Sequence, residues 1–450
     1  MNLDCIIYFT ILLCISLIPI RKIWNKRDLN LFDIIILTYS IYFVYIPLKF
    51  SLFNTPIYGI PYINTINNHP LTLIYLIAFF SILALLSIFL NKKRSLNITY
   101  LIFRLDSNTK ISFPILAIVL ICFLYCTIVL TSYGNLDEDN TESNRNILAY
   151  GGGFFGYLIQ LSYTLTFIGL VWVIKYIKDN RKNINYKIIA LLILGIANFL
   201  LGGRGDMLFA LFFIFLYLYS VYRKNLTRKH YIILLFIIGI FGGIILPISQ
   251  SFRQVKDYIV MNNNNHSFKD VFIYYISIDK KEFNNIYNSA QNNTSFRSIS
   301  TYYFLDKAIY KEDLLPMNGE YTKNAILKCI NPLYTPSQEI YNKPANLIAN
   351  GGDIAESPLM IFWIDVKWIS LIIVLLFYFG YILLTNLQRI FISSFCKIWG
   401  IEYLNLYFIL DLLFSIEMVP NYRKIWNNIL PLYIFYCITF YLINKIKKLK

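Results

Sequence analysis

Apolar positions in this chain come in unbroken runs, not in the short or alternating clusters of a water-soluble core. Runs such as Leu71–Leu90 and Tyr231–Ile248 extend for close to 20 residues. At a rise of about 1.5 Å per residue, a helix of that length crosses a hydrocarbon layer of about 30 Å. Eleven spans are predicted: Leu3–Ile20, Leu31–Phe53, Leu71–Leu90, Ile111–Tyr133, Gly153–Ile174, Ile188–Gly203, Met207–Tyr222, Tyr231–Ile248, Pro358–Leu384, Gly400–Met418 and Asn428–Ile443. The first lacks a basic leading region and ends on Pro19-Ile20-Arg21-Lys22 without a small-residue cleavage site, so it reads as a retained anchor and not a signal peptide. The segment Arg389–Trp399 also fits an interfacial or re-entrant piece, which leaves the path between 385 and 418 open. The fold class expected is an all-α polytopic integral membrane protein. An eight-helix bundle over 1–248 is followed by a long connection over 249–357 and further membrane helices over 358–450.

Composition agrees with the pattern. Of 450 residues, 57% are hydrophobic and 15% charged, against roughly 25% charged in soluble proteins. A soluble enzyme, a disordered tail and a secreted disulfide scaffold are excluded. The net charge of +16 is explained by where the cations sit. Alternate connections, counted from the first span, hold 24 basic residues against three acids, Asp28, Asp106 and Asp179. The short connections of the other class hold only Arg145, Arg204, Arg423 and Lys424, against five acids. The positive-inside rule assigns the first class to the cytoplasm, giving an outer N-terminus and an inner C-terminus. The basic excess is therefore a topology signal and not a nucleic-acid footprint.

Two outer connections exceed simple turns. Gly134–Gly152 is acidic and carries a single cation, Arg145. Ser249–Ser357 spans 109 residues with 11 basic and 11 acidic side chains. Within it Phe268, Val271, Phe272, Tyr275 and Ile278 line one helical face and Tyr302, Leu305 and Ile309 another. This pattern predicts short helices lying on the outer membrane surface. Cysteines and the three histidines show no metal-ligand spacing, and no Walker A sequence is present; neither a metal nor a cofactor is expected.

Candidate chemistry gathers on the outer side. Gly202-Gly203-Arg204-Gly205-Asp206 interrupts an apolar stretch running from Ile188 to Tyr222. Its glycines allow close backbone approach, a helix is expected just after Asp206, and a guanidinium at a helix start suits a diphosphate. The same residues also fit an Arg204–Asp206 pair at a tight outer hairpin. Arg145, followed by the glycine run Gly151–Gly153 and then Gly156, is a second candidate, or a partner for Glu142 or Asp139. Arg253, just past the eighth span, is a third, or a snorkelling anchor. Asp353 and Glu356, before the ninth span, share a face if the helix already includes them. One of them could accept a proton from a sugar hydroxyl, or both could cap the helix start. His266 fits a base or a solvated surface residue.

Together these features resemble the Wzy-type O-antigen and capsular polysaccharide polymerases. The resemblance rests on the span number, the two unequal outer loops, the Arg145-to-Gly156 spacing, the LGGRGDMLFAL segment, Arg253 after the following span, and the Gly351, Gly352, Glu356 approach to the ninth span. The large loop lacks a second Arg-ten-residue-Gly match, and Phe362-Trp363-Ile364-Asp365 replaces the usual Asn-Phe-Gly-like stretch. The resemblance implies a metal-independent glycosyltransferase of the bacterial inner membrane with its site facing the periplasm. Its substrates would be undecaprenyl-diphosphate-linked oligosaccharides. Arg145, Arg204 and Arg253, with Gly202, Gly203 and Gly205, would bind diphosphate, and Glu356 or Asp353 would be the base. Membrane lipid, a chain-length regulator and a flippase would be its partners, and nucleic acid would not. An O-antigen ligase, a lipid-linked oligosaccharide flippase and a membrane acyltransferase are the rival readings.

Overall fold

Capping and proline placement set the first helices of this computed structural model, which describes residues 3–53, 68–91, 93, 96–108, 174–179, 204–227, 229, 268–310, 319–320, 322–323, 326–327 and 357–393. Helix α1 covers Leu3–Trp24 and α2 covers Leu31–Ser40. Asn30 caps α2: its side-chain oxygen accepts from the Asp33 N–H at 3.0 Å, and the Asp33 carboxylate accepts from the Asn30 N–H at 2.8 Å. A π-helical turn, Ile41–Tyr45, joins α2 to α3 at Ile46–Leu52. Pro47 explains that wide turn, because it has no N–H to give and its ring crowds the carbonyl four residues back. Helix α4, Pro70–Phe89, starts with proline at its first position, and His69 Nδ1 accepts from the Leu71 N–H at 3.4 Å.

The later elements are α5 at Ile98–Asn108, α6 at Arg204–Tyr222, α7 at Phe268–Ser277, α8 at Lys280–Tyr310, α9 at Pro358–Val366 and α10 at Ser370–Ser393. All described elements are helical, and the β pairing among them is an isolated antiparallel bridge between Asn30 and Asn97. Four stretches are long and apolar enough to cross a membrane: Asp4–Trp24, Leu31–Leu52, Pro70–Phe89 and Pro358–Gly380. They coincide with the first, second, third and ninth predicted spans. Helix α6 covers the seventh but begins at Arg204, not after Asp206. Predicted spans at 111–133, 188–203, 231–248, 400–418 and 428–443 lie outside the described residues, as does the one at 153–174 apart from its last residue, Ile174.

Helices α1 and α4 run parallel and pack on each other, α2 lies antiparallel against both, and at one end the three close around charge. Lys22 Nζ, in the last turn of α1, lies 2.9 Å from both carboxylate oxygens of the fully buried Asp33. Lys22 also donates to Ser87 Oγ at 2.7 Å, Ser87 Oγ donates to Asp33 at 2.6 Å, and Asn30 Nδ2 donates to the Ser87 carbonyl at 2.7 Å. This is called the basic end below. Farther along, aromatic packing takes over. The hydroxyls of Tyr39 and Tyr378 share a 2.6 Å hydrogen bond from α2 to α10, and Tyr75 meets Ser370 at 2.7 Å from α4 to the start of α10.

Two expectations are corrected. The ninth span is not one helix over Pro358–Leu384. α9 stops at Val366, Lys367 takes a left-handed φ of 49°, and a 3-10 turn, Lys367–Ile369, precedes α10. Left-handed backbone at a non-glycine costs about 1–3 kcal/mol. It is held here by Thr322, whose N–H and hydroxyl both donate to Asp365 Oδ2 at 2.6 and 2.7 Å, and by the Ser370 hydroxyl, which donates to the Lys367 carbonyl. The second correction concerns the long connection. The first stretch is a short helix as expected, α7, whereas the second belongs to α8, which is 31 residues long. Tyr302, Leu305 and Ile309 do share a buried face, yet Thr301, Tyr303, Phe304 and Asp306 are buried too. The last third of α8 is thus enclosed, packed on α3, α4, α9 and the π turn.

Removing one partner of the buried pair strands the other. Asp33→Ala is expected to lower stability by about 3–5 kcal/mol, while Lys22→Met combined with Asp33→Leu restores most of it. Unfolding of the detergent-solubilised protein measures both, and equal losses in the single and double variants would refute the pairing energetics.

Candidate functional site

Of the residues expected to act, the structure describes the backbone of Arg204 and Gly205, both in the first turn of α6. Arg145, Arg253, Gly202, Gly203, Asp353 and Glu356 lie outside the described residues, as does His266. Helix α9 begins at Pro358, with the Ser357 hydroxyl accepting from the Met360 N–H at 3.2 Å. Asp353 and Glu356 precede that helix in the chain. In α6 the first N–H groups have no partner within the helix, which suits an anion beside the Arg204 backbone.

The other end of α6 is firmly fixed. Tyr217 donates to Asp106 Oδ1 at 2.6 Å, and Tyr219 donates to the Arg27 carbonyl at 2.6 Å. Arg223 pairs with Asp28. Asp106, in α5, also receives Lys175, at 2.5 Å on its carbonyl and 3.3 Å on its carboxylate, together with Lys178. Lys175 reaches Asp179 at 3.2 Å as well. Burial alone would raise the Asp106 carboxyl. The hydrogen bonds from Lys178 and Tyr217 and the charge of both lysines outweigh burial and hold it below the usual carboxylate range. All three acids of the basic connections are paired. From Tyr222 to Arg204 the helix then runs about 27 Å.

At the opposite end of the bundle α4 begins, and a second polar group forms there that sequence reasoning passed over. Asp306 Oδ1 on α8 accepts from the His69 N–H at 3.1 Å. Tyr302 donates to Asn68 Oδ1 at 2.9 Å, Asn68 Nδ2 donates to Ser51 Oγ at 2.7 Å, and the Cys5 thiol donates to the Asn68 carbonyl at 3.5 Å. The His69 ring lies 4.7 Å from that of Tyr310. Burial pushes the Asp306 carboxyl above the usual carboxylate range, opposed first by the Thr72 hydroxyl and then by the His69 N–H and the charges of His69 and Lys307. Burial first, and the Asp306 charge second, push Tyr303 up to about 12. Nearby, Tyr75, Trp363 and Trp368 form an aromatic group, with ring centroids 4.7 Å apart for Tyr75 and Trp363.

The signal for Asp306 was present: an acid one residue after Leu305 and three before Ile309, inside an aromatic helical repeat. His69 before Pro70 is likewise a helix-start signature. Among the described residues no group of three or more His, Cys, Asp or Glu side chains could hold a metal ion. No family model, curated protein or solved structure matches this chain.

The raised Asp306 carboxyl gives the docking of α8 a definite pH sign. Its contribution is fully present below the ordinary carboxylate value of about 3.9, and is lost as pH rises through the raised folded value. His69 faces it from α4, and Tyr302, Tyr303 and Lys307 from α8 itself. Amide-exchange protection of residues 299–309 is expected to fall with rising pH in the wild type and to stay flat in Asp306→Asn. A pH-independent wild type would contradict it.

Proposed function

We propose that this chain is an oligosaccharide repeat-unit polymerase. It would join undecaprenyl-diphosphate-linked glycans on the outer face of the bacterial inner membrane, with eleven spans, an outer N-terminus and an inner C-terminus. The observation that carries the reading is the position of Arg204. It opens a helix whose far end is locked by Asp28, Asp106 and the Arg27 carbonyl among the basic connections. In this reading α6 is a span, so Arg204 and the N–H groups of its first turn meet the outer interface. A guanidinium fork there matches a diphosphate leaving group.

The chemistry asked of the chain is a glycosyl transfer without a metal. The bond between the anomeric carbon of the donor glycan and the diphosphate oxygen breaks. A hydroxyl oxygen on the non-reducing sugar of the acceptor unit forms the new glycosidic bond, and its proton passes to a carboxylate. Undecaprenyl diphosphate leaves with the bond's electron pair. Arg204, with Arg145 and Arg253, neutralises the leaving group, and Glu356 or Asp353 takes the proton. A chain-length regulator and a flippase are the partners such an enzyme would work beside.

A flippase would require charge at mid-depth in its spans. The buried Lys22–Asp33 pair instead occupies the last turn of α1 and the first turn of α2, where it fastens helices together. The large polar helix α8, embedded against α3, α4 and α9, likewise suits an enzyme that shapes a substrate surface better than a carrier with short loops.

Arg204→Ala is expected to insert normally and to lose chain elongation by about 10²–10³ in rate, the worth of about 3–4 kcal/mol. Arg204→Lys should recover only part, since a point charge replaces a fork. The glycan ladder on gels is the readout: single repeat units on the acceptor are expected, whereas loss of a ligase leaves none. Long-chain glycan from Arg204→Ala at matched expression would sink the assignment.

A further inference from the structure

The chain leaves α1 through a turn that strains its backbone. The Lys26 N–H donates to the Ile23 carbonyl at 3.0 Å and the Arg27 N–H to the Lys22 carbonyl at 2.9 Å, the bond pattern of a Schellman ending. Such an ending needs a left-handed residue, ordinarily glycine, and here Lys26 takes it with φ at 55°. A lysine there crowds its own backbone, yet it is exposed and joins no ion pair among the described residues. A cation thus stands where the fold by itself favours glycine.

Around the turn the charges do not balance. Every acid that the described residues place at the basic end is already taken: Asp33 by Lys22, Asp28 by Arg223, Asp106 by Lys175 and Lys178, and Asp179 by Lys175. Arg21, Arg27, Lys93 and Lys224 are exposed like Lys26, and none of them joins an ion pair among the described residues. The fold gathers them. The Tyr219 hydroxyl on the Arg27 carbonyl and the Arg223–Asp28 pair draw the end of α6, and Lys224 with it, against the turn. Ser87 on Lys22 and the Ile98 N–H on the Leu29 carbonyl fix both sides of the segment that carries Lys93.

The depth of this cluster decides what it meets. Three of the four apolar stretches have ends together here, α1 and α4 with their last turns and α2 with its first. A bilayer around them sets the turn at the level of the phospholipid headgroups. Leu17, Ile20 and Trp24 follow one another at helical spacing on one face of α1 and are 49%, 41% and 59% exposed. That face gives an acyl chain an apolar track, and an indole at its end suits the interface. Arg21, one helical step from Trp24 and Leu17, stands on the same side. A soluble polyanion would use the cations but not the track; a phospholipid uses both.

We infer that the turn after α1, with the end of α6 beside it, is a binding site for an anionic phospholipid. Arg21, Lys26, Arg27 and Lys224 attract the headgroup, and an acyl chain follows Leu17 and Ile20 along α1. The site lies at the other end of α6 from Arg204 and does not rest on the polymerase reading.

The test uses the full chain in a neutral detergent, with lipid retained in native mass spectrometry as the readout. The probes are phosphatidylglycerol, phosphatidylcholine and inorganic phosphate. The wild type is expected to hold phosphatidylglycerol about tenfold more tightly than phosphatidylcholine, and inorganic phosphate should not displace it. Lys26→Gly removes the charge and relieves the left-handed backbone. It should weaken phosphatidylglycerol by about fivefold, while the melting temperature without lipid stays level or rises. Arg27→Gln and Lys224→Gln, both surface changes, should each weaken it to a similar degree at unchanged melting temperature. Lys49→Gln, exposed on α3 at the opposite end, should leave it as it is. Equal retention of the two lipids, or variants that hold phosphatidylglycerol like the wild type, would overturn the site. So would displacement by inorganic phosphate, which would give this face to a soluble anion, or an equal loss in Lys49→Gln, which would reduce the effect to net charge. A lowered melting temperature in Lys26→Gly with binding intact in Arg27→Gln and Lys224→Gln would make the turn structural only and overturn it as well.

Discussion

One lysine ammonium sits where three apolar helices converge, and the packing of the bundle follows from satisfying it. A charge taken out of water costs several kcal/mol unless it is paired and its remaining donors are used. Lys22 meets Asp33 from α2 and Ser87 from α4, and Asn30 closes the ring by bonding the Ser87 carbonyl. Apolar surfaces alone would let the three helices slide along one another, because side-chain dispersion has little directional preference. The polar ring admits one axial register. From there the loop after Asn25 carries the constraint onward: the Leu29 carbonyl accepts from the Ile98 N–H at 3.0 Å, and Asp28 and the Arg27 carbonyl hold the end of α6.

The opposite end solves a different problem. Helix α8 is too polar to cross lipid, yet most of its last third is buried, with Tyr310 at its end exposed. Backbone and side-chain polar groups in an apolar setting must be satisfied within the protein. α8 meets that demand by pairing Tyr302 with Asn68 and Asp306 with the His69 N–H, at the point where α4 begins. Two polar ends, joined by an aromatic middle of Tyr39, Phe79 and Tyr378, make up the described core.

Much of this was legible in the residues. The apolar runs located α1, α2 with α3, α4 and the ninth span, and the Tyr302, Leu305, Ile309 period marked a buried helical face. What escaped was whatever depends on partners distant in sequence. Lys22 reads as one more cation in a basic connection until Ser87 and Asp33 surround it. Asp28, Asp106 and Asp179 read as exceptions to a basic rule, and each proves to be the acid that its neighbouring cations need. Asp306 looked like an ordinary polar position because the hydropathy of α8 gives no hint that the helix is enclosed. Nor could the pattern of Pro358–Leu384 reveal the break at Lys367, since apolar residues continue on both sides of it. The candidate site was legible at Arg204 and its glycines, whereas the meeting of Asp306, His69 and Asn68 emerges only when separate segments come together.

The distances along the chain between partners impose an order on biogenesis. Asp33 follows Lys22 by 11 residues and Ser87 follows by 65, so the first three helices can lock together soon after leaving the ribosome. Tyr302 comes 234 residues after Asn68, Ser370 comes 295 after Tyr75, and Tyr378 comes 339 after Tyr39. At roughly 5–20 residues per second, Tyr39 waits on the order of 15–70 s for its partner. For that interval the Tyr39 and Tyr75 hydroxyls are without the partners they have in the finished fold. The aromatic middle of the bundle is therefore closed last, by a helix made long after the ones it seals.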